Sequence, residues 1–355
     1  MSEISTNRKR VMFESESAYG TDAVEALLDD DGSGDIVYQD VRTIDIDPTR
    51  EIFAPTRQRS SVAGVAHRSF ADLTGVGVEL PMTGKAASGA GNEAPFYAAL
   101  LKAAGFSETI SSGASATYKP STVAQAAMTA YAWYRNLEDA NWRLEYATGI
   151  RGNLSMNFEM NAEPYMTFEG TGRYEELITD AAAFFGTDGA IDLLKDGSTA
   201  VTARTTGTET QVNKTIMGCK SMTVTVGGTT MPVSALELNI NWTPDLIRTM
   251  NGAQTVSKVL LTKGDAARIE GSFDLQDGST AMEAVRDALA ADSEVALNIV
   301  LTDGTDTITI TSSKLQIGFW NKGANGNVRT YSVPFFLNGD WSNLAGDNDL
   351  SIVFT

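Results

Sequence analysis

Apolar and polar residues alternate with a period of two along much of the chain. This pattern is typical of antiparallel strands with one buried and one solvated face. The alternating apolar positions are Leu154, Met156, Phe158 and Met160; Met222, Val224 and Val226; Leu236, Leu238 and Ile240; Phe273 and Leu275; Val295, Leu297 and Ile299; and Leu315, Ile317 and Phe319. We therefore expect a mainly β protein.

Two segments have the features of helices instead. Residues 95–104 begin with Pro95, which suits a first helical turn, and are followed by Gly105, which suits a C-terminal cap. Residues 280–290 carry an apolar stripe at helical spacing. That stripe consists of Ala281, Val285, Ala288 and Leu289.

The surroundings of the two helices resemble each other, which indicates an internal duplication. Residues 44–81 precede the first helix and residues 238–276 precede the second. Both read as a strand, a Pro-Thr or Thr-Pro turn, a long polar arm and a strand ending in Glu-Leu or Asp-Leu. Beyond the helices, residues 165–174 (YMTFEGTGRY) resemble residues 331–341 (YSVPFFLNGDW). Two unrelated β domains with a common plan would give the same order, so that alternative stays open.

The duplication predicts two tandem β-sandwich or barrel domains, each with one flanking α-helix, plus long extended arms. A short apolar piece and a Thr-rich run separate the two, as an insertion or linker. The predicted division is an N-terminal arm and acidic loop at 1–40, a first β domain at 41–178, the insertion at 179–214 and a second β domain at 215–355.

Composition restricts the class of protein further. The chain has 355 residues, of which 42% are hydrophobic, enough for two domains with proper cores. Cys219 is the single cysteine, so an internal disulfide is excluded and folding in a reducing cytoplasm is expected. No apolar run reaches the roughly 20 residues that a membrane span requires. The net charge of −18 argues against binding nucleic acid through its phosphates, although solubility alone would also account for it.

Catalytic chemistry has little support in the sequence. His67 is the single histidine, so a pair of histidine metal ligands is excluded, and Cys219 has no companion. A Ser-His-Asp triad would need His67, which lies in a polar arm with no nucleophile elbow nearby. We expect no enzyme activity.

One acidic segment has the spacing of an EF-hand calcium loop. It reads DDDGSGDIVYQD, and Gly34 allows its sharp turn. The candidate ligands are Asp29, Asp31, Ser33 and Asp40. A strand-like sequence follows in place of a second helix, and the last ligand is Asp rather than Glu. A solvated acidic loop is therefore the alternative to calcium, the one cofactor considered.

Aromatic residues cluster on two neighbouring predicted strands and could form a platform for sugars or bases. They are Tyr131, Trp133, Tyr134, Trp142 and Tyr146. We favour packing or a subunit contact, because platforms usually combine aromatic residues with basic or polar groups.

A polar arm at 48–68 contains the one cluster of basic residues in an otherwise acidic chain. A long polar loop of this kind suits pairing with an acidic neighbour. Its arginines are Arg50, Arg57, Arg59 and Arg68, with Arg42 just before it. The counterpart at 244–265, which contains Arg248, is less basic and is expected to be similarly exposed.

Several short segments resemble the tail tube proteins of siphophages. They are ESESAYGTDA at 14–23, FEGTGRY at 168–174, the stretch 218–226, ALELNIN at 235–241 and RIEGSF at 268–273. The resemblance implies a β-sandwich with a flanking helix, stacked in rings around a channel that carries DNA without binding it specifically. It also implies a hairpin arm and an N-terminal segment that bridge successive rings.

The usual ring of this family has six tube domains, so two domains per chain imply a trimeric, pseudo-hexameric ring. The expected partners are further copies of the chain and the tape measure, terminator and distal tail proteins. The expected location is the virion tail, after synthesis in the bacterial host cytoplasm. Two alternatives remain: a related ring protein (a tail terminator or Hcp-like tube) and a carbohydrate-binding surface β-sandwich.

Overall fold

The computed structural model describes most of the chain. The described residues are 4–21, 23, 36–53, 68–86, 93–121, 125–136, 142–174, 209–211, 215–248, 256–262, 269–276, 280–325, 328–339 and 349–355.

Strands dominate the described residues, as the alternation predicts. The strands are β1 (Ile4–Ser15), β2 (Ile36–Tyr38), β3 (Thr43–Phe53), β4 (Arg68–Pro81), β5 (Phe106–Ser111), β6 (Ser115–Pro120), β7 (Met128–Asn136), β8 (Trp142–Glu159), β9 (Tyr165–Tyr174), β10 (Glu209–Gln211), β11 (Thr223–Val226), β12 (Thr229–Met231), β13 (Val233–Ile240), β14 (Thr243–Arg248), β15 (Val256–Thr262), β16 (Ile269–Gln276), β17 (Val295–Thr302), β18 (Thr307–Ile317), β19 (Asn321–Asn325), β20 (Val328–Leu337) and β21 (Ser351–Phe354). The α-helices are α1 (Ala98–Ala103) and α2 (Thr280–Ala290). The mainly β expectation is confirmed.

A single antiparallel ladder runs through both halves of the chain. Its strand order is β3, β4, β9, β8, β13, β16, β20 and β19. The centre of this ladder is the pairing of β8 with β13, in register from Ala235↔Glu159 to Ile240↔Leu154. We call this pairing the seam, because it joins the two halves through main-chain hydrogen bonds.

One face of the ladder supplies the hydrophobic core. The alternate residues Leu236, Leu238 and Ile240 of β13 are buried, and so are Leu154 and Met156 of β8 across the seam. These side chains belong to one cluster that includes residues of both halves. Burial of this alternating apolar set fixes the register, because a slip by one residue would turn the set towards the solvent.

The two helices cover this core, at nearly the predicted positions. Helix α1 is shorter than the predicted 95–104, and the turn after it ends at Gly105, whose φ is +83°. Helix α2 has the predicted bounds, 280–290, and buries Met282 and Val285. Each helix thus presents an apolar stripe to the sheet, as amphipathic helices do.

The C-terminal strand forms a second link between the halves. Strand β21 pairs with β18 on one side and with β6 on the other. Phe354 of β21 contacts the rings of Tyr97 and Tyr118 edge-on, with ring centroids 6.0 Å and 5.6 Å apart. Such aromatic pairs stabilise the contact beyond their burial alone.

Three local expectations are wrong. The Pro-Thr turn is replaced by strand, because β3 continues through Pro48 to Phe53. Met160 is 57% exposed, because β8 ends at Glu159. Phe319 is 84% exposed, because β18 ends at Ile317 and the chain leaves the ladder before β19. Alternation in sequence does not show where strand pairing stops.

The two halves have the same strand order. In the first half, β3 pairs with β4, β4 with β9 and β9 with β8. In the second, β13 pairs with β16, β16 with β20 and β20 with β19. The domain borders at 40, 178 and 214 remain predictions. Residues 4–15, part of the predicted N-terminal arm, form β1, which pairs with β7.

Candidate functional site

The face of the ladder opposite the core is acidic. Because successive side chains of a strand point to opposite faces, the residues between the buried apolar positions share this second face. Its carboxylates, all exposed or half-buried, are Asp45, Asp47, Glu79, Glu159, Glu169, Glu237, Glu270 and Asp274. We call this surface the acidic face. It extends over both halves and across the seam.

Basic residues lie at both ends of this face. Among the described side chains of the ladder, Arg151 and Arg173 share the acidic face. Arg173 pairs with Leu73 and Arg151 with Thr171, at the end of the ladder farthest from Glu79. At the other end, Arg42 precedes β3 and forms ion pairs with Glu79 and Glu163. The part of the face between the two ends presents a negative potential, which repels polyanions.

Polar side chains line the seam on the acidic face. A groove of about 250 Å³ lies there, lined in part by Asn153, Glu169 and Asn239. The Asn241 Nδ2 donates to Glu270 Oε1 at 3.0 Å, and Asn239 Nδ2 donates to Glu237 Oε1 at 2.9 Å. The polar groups that line the groove are the amides of asparagines, the hydroxyls of Ser155 and Thr167, and the Glu169 carboxylate.

The ladder ends in two strands with an unpaired edge. Among the described strands, β3 forms a ladder with β4 alone and β19 with β20 alone. Pro48 lies in β3, where its missing N–H is tolerated because the strand is at an edge. Unpaired edges are templates for pairing with another chain.

The two predicted arms are β-hairpins that differ in position. The first, β3 with β4, continues the ladder from Thr43↔Glu79 to Phe53↔Arg68. The second, β14 with β15, forms a separate two-stranded sheet. It lies against the first half, where Val259 and Leu261 of β15 are buried. The expectation that residues 244–265 are exposed is wrong for β15, because Val259 packs with Leu73 and Leu261 belongs to the main hydrophobic core.

Arg151 connects the first half to this second hairpin. Its side chain is buried, and its Nη1 donates to the Val259 carbonyl oxygen at 2.7 Å. Its Nε donates to the Ala126 carbonyl oxygen at 3.1 Å, and its Nη2 donates to that of Gln125. The guanidinium lies over the Tyr19 ring, 5.3 Å from the centroid. Burial lowers the pKa of Arg151, while Tyr19 and Glu16 oppose that shift.

The segment ESESAYGT at 14–21 comprises the end of β1 and a turn beside Arg151. The Glu16 carboxylate is buried and accepts from Gly20 N at 2.6 Å, Gly149 N at 2.5 Å and Thr129 Oγ1 at 3.0 Å. Burial is the main cause that raises the pKa of Tyr19 to about 12. This turn fixes the Tyr19 ring beneath the guanidinium.

The structure describes the predicted arm residues in part. Arg50 and Arg68 lie in the paired strands of the first hairpin, and Arg248 ends β14. Arg57 and Arg59 lie outside the described residues, as does His67. The role of these arginines as contacts between subunits stays a prediction.

The calcium loop is also largely outside the described residues. This applies to Asp29, Asp31 and Ser33, whereas Asp40 is exposed between β2 and β3. Among the described residues, no group of three or more His, Cys, Asp or Glu side chains could hold a metal ion. Calcium binding at 29–40 stays a prediction.

Three residues of the aromatic cluster pack in the interior, Tyr134 is half-buried, and the side chain of Trp142 lies outside the described residues. Tyr131, Trp133 and Tyr146 are buried, with the two tyrosine ring centroids 4.9 Å apart. Buried rings cannot serve as a platform for a sugar, so this finding favours the packing interpretation over carbohydrate binding. Cys219 is also buried, and burial raises the pKa of its thiol.

Sequence reasoning missed the role of Arg151. An available signal was an arginine directly after the apolar Ile150 and before Gly152, since an arginine buried there requires acceptors. The sequence could not identify those acceptors, because they are backbone carbonyl groups from distant positions.

Comparison with known proteins agrees with this architecture. A family described as phage tail tube protein matches residues 6–335, nearly the whole chain. A search of curated proteins finds no match. Among the described residues, no helix is long and apolar enough to cross a membrane. The chain therefore belongs to the phage tail tube protein family and is a structural protein of the virion tail.

Proposed function

We propose that this protein polymerises into stacked rings and that its acidic face lines the channel through which DNA leaves the virion. Family membership supports this role. The observation that carries the proposal is a sheet with carboxylates along one face and, among the described strands, an unpaired strand edge at each end. A sheet of this kind can extend from copy to copy and enclose a negatively charged space.

The seam supplies a template for the contact between copies. By strand order, β3 of the first half corresponds to β13 of the second, and β8 corresponds to β19. Pairing β19 of one copy with β3 of the next would therefore repeat the β8–β13 pairing. This contact is head-to-tail, and such contacts close into rings when the rotation completes a turn.

The proposed ring contains three chains. Each chain contributes two four-stranded parts of the ladder, so three chains give six parts and a pseudo-hexameric ring. Closure would also remove the unpaired edges, which are otherwise prone to uncontrolled pairing. Stacking of rings is proposed from the family resemblance, with the first hairpin as the connector. Residues 4–15 of the predicted N-terminal arm are instead part of the subunit's own sheet as β1.

The acidic face suits passage rather than binding. A DNA phosphate near a wall of carboxylates is repelled, and the repulsion is screened over about 8 Å at physiological ionic strength. Binding, by contrast, would need lysines and arginines that neutralise phosphates. We propose no catalytic activity, and we propose the tape measure, terminator and distal tail proteins as partners at the ends of the tube.

The first test is electron microscopy of the purified protein in negative stain. We expect hollow tubes of regular rings with three chains per ring, and six chains per ring would refute the proposed duplication. Single rings without stacking would favour a tail terminator or related ring protein. A protein that stays monomeric even with tail initiation proteins added would contradict the proposal.

Charge reversal tests the channel lining separately. We expect tubes of the Glu169→Lys, Glu237→Lys variant to retain a short fluorescent oligonucleotide at low salt, whereas wild-type tubes exclude it. The matched control is Glu283→Lys, Asp287→Lys, which makes the same change of net charge on the exposed side of α2. Equal retention by both variants would show that the acidic face does not line the channel.

A further inference from the structure

The second hairpin belongs to the second half of the chain but packs on strands of the first half. It follows β13 in the chain, yet β15 contacts β8, β9 and β4 of the first half. Val259 is fully buried there and packs with Leu73, Leu246 and Tyr19. A segment of the second half therefore rests on three consecutive strands of the first.

Arg151 holds this segment by its backbone. The guanidinium donates to the Val259 carbonyl oxygen on β15 and to the Ala126 and Gln125 carbonyl oxygens ahead of β7. The rigid, planar fork of arginine can meet acceptors in several directions at fixed angles, which a lysine ammonium on a flexible chain does not reproduce. The contact thus specifies an orientation of the hairpin as well as its proximity.

Gln125 adds a second contact with the backbone of β15. Its Nε2 donates to the Leu261 carbonyl oxygen at 2.7 Å, and its Oε1 accepts from the Leu261 N–H at 3.1 Å. The amide side chain therefore pairs with both main-chain groups of one residue, as a neighbouring strand would. Together with Arg151, it engages β15 at alternate positions.

The turn that carries Tyr19 also packs against the Arg151 side chain. Glu16 binds three donors and so fixes the turn that carries Tyr19. The Tyr19 ring lies under the guanidinium and against Gly149, where an added Cβ would be 2.7 Å from the ring. Close packing of this kind limits the movement of the Arg151 side chain.

We propose that Arg151 is a positioning residue which, with Gln125, straps the second hairpin across the seam and so sets the angle between the two halves. Main-chain pairing at the seam and through β21 still permits a range of twist between neighbouring strands. Contacts of the hairpin with three strands beyond the seam narrow that range. The consequence for the ring, that its curvature is fixed within each subunit, rests on the proposed function.

Hydrogen exchange of the unassembled protein tests the strap directly. In Arg151→Gln and Arg151→Lys, we expect the amides of β15 to exchange at least about tenfold faster, because lost hydrogen bonds to a charged group lower the free energy of local opening. Seam amides of β8 and β13 should change by less than about twofold. If the β15 amides exchange faster in Arg151→Lys as well, the geometry of the guanidinium is required and a positive charge alone is not sufficient.

A milder variant and a control accompany this measurement. Gln125→Ala should accelerate exchange at β15 in the same pattern but less, even if the Arg151 variants fold poorly. Arg42→Gln, which removes an exposed arginine from the base of the first hairpin, should leave β15 unchanged. Unchanged exchange at β15 in all Arg151 and Gln125 variants, or equal acceleration at the seam, would overturn the strap.

Assembly separates the strap from the proposed function. If wild type forms tubes, we expect folded Arg151→Gln protein to form fewer tubes, with open or irregular rings. Regular tubes at the wild-type rate from a variant with a loosened hairpin would refute control of curvature while leaving the tube function intact. If wild type itself forms no tubes, the proposed function fails, and the exchange pattern still decides whether the strap exists.

Discussion

The two hairpins begin at corresponding places in the two halves but end in different surroundings. The first continues the ladder without interruption through Pro48. The second is separated from β13 by Asn241 and Trp242 and forms its own two-stranded sheet. The same strand order thus gives an extension of the sheet in one half and a segment folded onto the neighbouring half in the other.

Trp242 accounts for much of this difference. Its indole is buried, and its Nε1 donates to the Ala104 carbonyl oxygen at 2.8 Å. Its backbone N–H donates to Asn153 Oδ1 at 2.7 Å, across the seam. Pro48 in β3 is exposed and has no N–H to donate. A buried tryptophan with two partners turns the chain inward, whereas an exposed proline leaves the strand straight.

Removal of this anchor should have the largest effect. We expect Trp242→Ala to lower the free energy of unfolding by about 3–5 kcal/mol, because it leaves a cavity and an unpaired Ala104 carbonyl group. Denaturant unfolding of the monomer measures the loss. The matched control is Phe319→Ala, which truncates an exposed aromatic residue and should cost less than about 0.5 kcal/mol. Similar losses in the two variants would mean that Trp242 does not distinguish the hairpins.

The sequence predicts much of what the two halves share. Alternation identifies the buried residues of β13, and the residues between them, such as Glu237, are then expected on the opposite face. Helix α2 follows from its apolar stripe. These features depend on local period and burial, which the sequence contains.

The difference between the hairpins could not be predicted in the same way. The burial of Trp242 depends on Gly105, whose added Cβ would be 2.9 Å from the indole, and these residues are far apart in the chain. The acceptors of Arg151 likewise lie far from it in the chain, on β15 and in the segment ahead of β7. The acidic face is a single surface because the seam pairs the two halves, and this pairing, which decides which carboxylates are neighbours, is not contained in the local pattern.

Two glycines test the packing beside the strap, the contact of Arg151 and Gln125 with β15. Gly149 and Gly113 both have positive φ, +65° and +76°, so alanine costs about 1–2 kcal/mol of backbone strain at either position. Gly149→Ala also pushes a methyl group into the Tyr19 ring, whereas the site at Gly113 is open within 4 Å. We expect Gly149→Ala to lower the free energy of unfolding by about 1–3 kcal/mol more than Gly113→Ala does. Thermal and denaturant unfolding measure this difference. Equal losses would show that the turn carrying Tyr19 moves to accommodate the methyl group with no loss of stability.

The smallest effect is expected at the base of the first hairpin. Arg42 forms ion pairs with Glu79 at 3.0 Å and Glu163 at 3.4 Å, at a partly exposed site. Exposed pairs contribute little, so Arg42→Gln should cost less than about 1 kcal/mol, and the loss should shrink as salt is added. Unfolding at low and high ionic strength measures both.

Arg151 is itself buried and donates to one buried and two partly buried backbone carbonyl groups. Its change to glutamine should therefore cost more stability than Arg42→Gln, and that loss should depend little on salt. A large or salt-independent loss at Arg42 would mean that the first hairpin is also held by a specific anchor. The two hairpins would then differ in direction but not in how firmly they are fixed, and the strap would no longer be a feature of the second half alone.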